Sequence, residues 1–155
     1  MRRGKKQKGL ALVELIVAFT ILLILTTMAV PLARAKVRAE KERDLRRALL
    51  EMRNAIDKYK DMADQGLLGP QKMGSEGYPE SLDILVEGVK KAGQVDTKIR
   101  FLRRIPKDPM TNSTDWGKRS MQDDPKSTGW GGQNVFDVYT KSTDKAADGT
   151  SYSEW

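Results

Sequence analysis

Glu14 is the one charged residue in the apolar run LALVELIVAFTILLILTTMAVPL, which extends from Leu10 to Leu32. A carboxylate inside a membrane-length apolar helix is costly to bury unless something pairs with it. A cut between Gly9 and Leu10 would create that partner, a new α-ammonium one helical turn before Glu14. The chemistry these residues invite is therefore cleavage of the Gly9–Leu10 peptide bond, followed by an ion pair in an apolar setting. An uncleaved signal anchor would leave Glu14 unexplained. Elsewhere the chain is poor in reactive groups. It has no Cys and no His, which removes Ser/His and Cys/His nucleophilic arrangements, disulfides and the commonest metal ligand. The fragments GWGGQN at Gly129 and Gly117-Lys118 lack the remaining glycines of a dinucleotide or phosphate loop. Nothing points to an enzyme.

The apolar run is about 23 residues, roughly 35 Å as a helix, enough to cross a bilayer core. In front of it stands the leader MRRGKKQKG, with Arg2, Arg3, Lys5, Lys6 and Lys8 and no acid. The bias of cations toward the cytoplasm predicts a single-pass protein with its N-terminus in the cytoplasm and its C-terminal part exported. Losing the leader takes the formal net charge from +7 to +2. The basic balance is thus mostly a targeting signal and gives no support to nucleic-acid binding. Beyond Leu32 the helical pattern continues without Gly to Gln65. Leu45, Leu49, Met52, Ile56, Tyr59 and Ala63 recur at steps of four and three, so packing against a globular head should begin near Leu45. The doubly charged stretch from Arg34 to Arg47 reads either as a solvated face or as charge matching between subunits. Pro31 removes a hydrogen bond inside this long helix and should kink or loosen it.

Gly66 ends the helix and opens a Gly/Pro-rich loop. Ser81 reads as the N-cap of a short helix closed by Gly93, with Leu82, Leu85, Val86 and Val89 on one face. The last third is broken by turns. Its best strand is Asn134 to Thr140, with a weaker one around Trp116. Trp116, Trp130 and Phe136 read as core rather than as a base-stacking platform. The expected architecture is α+β: a long membrane-spanning stalk helix packed on a small head with a short antiparallel sheet. The expected divisions are a leader at 1–9, a transmembrane part at 10–32, an exported helix at 33–65 and a head at 66–155.

The leader, Gly9, the cut site, Glu14 and the unbroken apolar run resemble the processing signal of type IV pilins and type II secretion pseudopilins. In that family a Pro stands at the place of Pro31. The C-terminal third resembles the major, G-type pseudopilin. Pro106-Lys107-Asp108-Pro109 matches a Pro-x-Asp-Pro motif, and Asp137-Val138-Tyr139 an Asp-x-Tyr strand end followed by an Asp-rich loop. The resemblance implies removal of residues 1–9 by a prepilin peptidase and methylation of Leu10. It also implies assembly into a helical homo-oligomeric filament by an inner-membrane platform and its ATPase, with minor pseudopilins as further partners. It implies a calcium site with Asp144 and Asp148 as side-chain ligands and the carbonyl of Lys141 as a backbone ligand. Against an EF-hand template the loop fails, because Ala146 and Trp155 stand where oxygens are needed. The chain departs from the family at Leu10, where Phe is usual, and after Tyr139, where both glycines and a Leu are missing. The alternatives are a type IV major or minor pilin and a membrane-tethered calcium-binding module that does not polymerise.

Overall fold

The computed structural model describes residues 6–94 and 97–155. The protein is α+β. Its first element, α1, is a 59-residue helix, Lys6–Asp64. Then come the short helix α2, Leu82–Glu87, and the strands β1, Val89–Lys90, and β2, Lys98–Ile99. Strands β3, Gly117–Arg119, and β4, Asp137–Tyr139, follow, and a 3-10 turn at Tyr152–Glu154 comes last. The chain divides into two compact units, Met1–Glu40 and Lys41–Trp155. The part of α1 from Lys41 onward thus belongs to the second unit.

The second unit is organised on the apolar stripe of α1. Leu45, Leu49, Met52, Ile56 and Tyr59 are buried, with Ala48 and Ala55 between them, and Ala63 is partly buried. Burying a Leu or Ile side chain contributes about 1.5–3 kcal/mol, so this stripe is the main apolar contribution of the helix. Against it pack Leu82 and Leu85 of α2, Leu102, Trp116, Val135 and Val138. Helix α1 stops in a paired backbone cap. Gly66, at φ +66°, donates its N–H to the Ala63 carbonyl, and the Leu67 N–H bonds the Met62 carbonyl. Only a residue at ease with positive φ closes a helix this way.

The predicted helix from Ser81 to Gly93 is shorter than expected. It ends at Glu87, and Ser81 makes no side-chain cap bond. Gly88 takes φ +85°, and a Cβ there would lie 2.9 Å from the Ile99 carbonyl oxygen. The chain turns at that point, and Val89 pairs with Ile99 in an antiparallel ladder that the sequence pattern did not suggest. The second ladder joins β3 to β4, antiparallel, with Gly117 opposite Tyr139 and Arg119 opposite Asp137. Among the described residues the short antiparallel pairing of the head is thus divided between two two-stranded sheets.

Two of the three aromatic residues expected in the core lie at the surface. Trp116 is buried and its Nε1–H donates to the Pro106 carbonyl at 2.8 Å. Trp130 and Phe136 are 38% and 45% exposed. The indole N–H of Trp130 is held by the Asn134 carbonyl, with the Lys118 ammonium 4.0 Å from its ring. Phe136 sits edge-on to Tyr78. An aromatic ring whose polar or π contacts are made at the rim has no need of the core.

Candidate functional site

Gly9 and Leu10 lie inside the first turns of α1. Residues 1–5 of the leader, with Arg2, Arg3 and Lys5, fall outside the described residues. Gly9 is a weak point in that helix, about 1 kcal/mol less favourable than Ala, and the peptide bond after it is the predicted cut. One turn on, Glu14 is exposed on α1. Around it Leu12, Val13, Leu15, Ile16 and Val17 are each more than half exposed. The carboxylate therefore projects from an apolar surface that the protein itself does not cover. By length and composition α1 contains the one helix among the described residues able to cross a membrane, and its most apolar stretch is not buried within the chain.

The same stretch hides its own polar side chains. The hydroxyls of Thr20 and Thr26 each donate to the carbonyl four residues back, at 2.7 Å. Thr27 donates to the carbonyls of Leu23 and Ile24. Bonds of this kind satisfy a hydroxyl without any outside partner, as an apolar solvent requires. Pro31 has no N–H to give the Thr27 carbonyl, yet α1 stays helical on both sides of it.

The C-terminal loop is placed differently from a ready-made cation cage. Asp144 is exposed, its N–H donating to Ser142 Oγ and its carbonyl accepting from the Tyr152 N–H. Asp148 Oδ1 accepts both the N–H and the hydroxyl of Thr150, at 2.9 and 2.7 Å. These bonds, the hydroxyl first, hold its carboxyl below the ordinary Asp range. The Lys141 ammonium pairs with Asp115 at 2.6 Å. Among the described residues no three acidic side chains converge to hold a metal. An ion bound here would take most of its oxygens from backbone carbonyls and water.

The Asp137 carboxylate, which the sequence placed at a strand end without naming a partner for it, joins β4 to α1 and β3. Asp137 Oδ1 accepts from Arg53 Nε of α1 at 2.7 Å, and Oδ2 accepts from Arg119 of β3 at 3.3 Å. Arg53 also reaches the carbonyls of Val138 and Trp155. Tyr152 donates its hydroxyl to Glu42 at 2.6 Å, and the Arg46 guanidinium lies 4.2 Å from the Trp155 ring. The last residues of the chain are thereby clasped to α1 from Glu42 to Arg53. The available signal was Asp137 in a strand of otherwise apolar residues, a charge that needs a partner once half-buried. Asp108 of the Pro-x-Asp-Pro segment is fully buried. Its carboxylate accepts from the Met110 N–H and from the hydroxyls of Thr111 and Thr140.

Residues 4–30 match the family described as the prokaryotic N-terminal methylation motif. The match spans Gly9, Leu10, Glu14 and most of the apolar run, and leaves residues 31–155 unmatched. No curated protein and no solved structure matches the chain.

Proposed function

We propose that this chain is a prepilin whose processed form is a structural subunit of a type II secretion pseudopilus. A prepilin peptidase removes residues 1–9 and methylates the amine of Leu10. The apolar part of α1 holds the subunit in the inner membrane with the head in the periplasm. A membrane platform and its ATPase then draw it into a helical filament, where apolar helices bury one another in place of lipid. The observation that carries the reading is the methylation motif at residues 4–30, whose part from Leu10 onward lies on an apolar helix that the protein itself does not bury. Glu14 then finds the Leu10 ammonium of its own or a neighbouring subunit. The pseudopilus form of the reading is supported by the Pro106–Pro109 segment anchored through buried Asp108, and by the strand that ends Asp137-Val138-Tyr139. With it comes a calcium site on Asp144, Asp148 and the Lys141 carbonyl.

Mass spectrometry of the membrane form tests the reading. The expected N-terminus is Leu10 carrying one methyl group, and Gly9→Leu should block processing. A mature protein that retains Met1 or Arg2 overturns it. Imaging of cells that overproduce the chain separates its variants: a periplasmic filament marks a pseudopilin, a sheared surface filament a type IV pilin, and a membrane monomer a tethered module.

A further inference from the structure

After Leu32 the chain reads Ala-Arg-Ala-Lys-Val-Arg-Ala before its first acid, Glu40. Residues 34 to 39 are all exposed on α1. Arg34 has no Asp or Glu within four positions on either side, so its own helix offers it no counter-charge one turn away. Arg34 and Lys36 stand about 200° apart around the helix, so the positive charge encircles it instead of marking one face. From Glu40 onward the signs mix and pair locally, as Arg47 does with Asp44 at 3.8 Å. On the exported side the turn directly after the apolar run thus carries cations ahead of any acid, the first acid, Glu40, standing four positions past Lys36.

That turn has a defined depth. A run of roughly 35 Å exceeds a hydrocarbon core of about 30 Å by a few ångströms, which puts residues 34 and 36 in the headgroup layer. Long cationic side chains reach phosphate there while their stems stay on apolar surface. The usual bias keeps Lys and Arg on the cytoplasmic side. Here Arg34 and Lys36 stand on the exported side ahead of the first acid, Glu40. Cations on the exported side need a counter-charge on that side.

We propose that Arg34 and Lys36 form a collar that binds the phosphates of acidic phospholipids in the leaflet facing the exported head. The proposal rests on the membrane-spanning reading of residues 10–32. Stripping these headgroups is then a step in lifting the subunit out of the bilayer, and the collar sets how readily it leaves.

The test uses the processed chain, residues 10–155, in phosphatidylcholine bilayers that carry phosphatidylglycerol. Spin-labelled phosphatidylglycerol and spin-labelled phosphatidylcholine report which lipid sits at the helix. The wild type is expected to prefer the acidic lipid, by roughly fivefold per cation at low salt. The preference should shrink with added salt and vanish in the Arg34→Gln/Lys36→Gln double variant, while Lys126→Gln leaves it intact. Equal lipid preference in the wild type and the double variant, with a protease-protected span in both, overturns the collar and leaves the span standing. No protected span in the wild type overturns both. A double variant that keeps its lipid preference but fails to form filaments also overturns the collar, because the cations then serve a neighbouring subunit.

Discussion

Glu14 concentrates the physical problem of the N-terminal unit, because it places one carboxylate among exposed apolar side chains. On insertion scales a central acidic residue costs about 2.5–3.5 kcal/mol. If the proposed cleavage frees the Leu10 amine, that amine offsets the cost wherever the two meet. Glu14→Ala should therefore be cleaved and inserted like the wild type. Its filament yield should fall about tenfold or more, since about 1.4 kcal/mol at one contact already gives that factor. Normal yield in electron micrographs would refute the pairing. The Asp144–Asp148 loop poses a second residue-level question. If calcium binds, the full chain in detergent should melt higher in calcium than in chelator, by about 2.7 kcal/mol of added stability at a hundredfold excess over the dissociation constant. Asp144→Ala should remove the gain. Equal melting temperatures would leave the loop as a turn built on the Asp148–Thr150 bonds.

At the scale of elements, the β3–β4 ladder depends on a close approach. The Tyr139 ring covers Gly117, and a Cβ at Gly117 would lie 2.3 Å from Tyr139 Cζ. The ring is fixed from other sides. Its hydroxyl donates to the Thr128 carbonyl, and the Arg119 guanidinium lies 4.0 Å from its centroid. It cannot swing aside without breaking both. Gly117→Ala should therefore destabilise the fold by roughly 1–3 kcal/mol, the usual range for an overpacked site. Gly129→Ala, whose Cβ would meet Ser127 Oγ at an ordinary 3.6 Å, should stay within about 0.5 kcal/mol. Thermal melts of the two variants decide it, and equal melting temperatures would show that the ladder yields.

For the whole molecule, the missing imidazole shapes the response to pH. With no His, no side chain has an ordinary pKa between those of the carboxylates and about pH 8.5. Among the described residues Asp115 is held low by its bond from Lys141, Asp123 by the N–H groups of Gly131 and Ser120, and Asp148 by Thr150. A depressed folded-state pKa contributes stability that is present above the unfolded value, about 3.9, and is lost as pH falls through the folded values. At the other end burial pushes the Tyr59 hydroxyl up, and the Asp64 carboxylate raises Lys60. Those contributions are present below about pH 10 and lost as pH rises beyond it. The melting temperature should be flat from about pH 5 to 9, fall below about pH 4, and fall again above about pH 10. A transition near neutrality would contradict this assignment.

The sequence alone determined what depends on order along the chain. A leader, a Gly, an apolar run and Glu14 are read in register by local spacing, and so is the stripe from Leu45 to Tyr59, because a helix presents every third or fourth residue to one side. The α+β class and the β3 and β4 segments followed from the same local patterns. What only the tertiary structure decided depends on which distant segments meet. Val89 left the expected helix for a ladder with Ile99 because Gly88 turned the chain. Trp130 and Phe136 went to the surface because nearby partners already satisfied them there. Asp137 joined Arg53, 84 positions away, and Tyr152 joined Glu42, 110 away. Such pairings carry no periodicity. They are selected by the burial of the groups they neutralise, and burial exists only once the chain has folded.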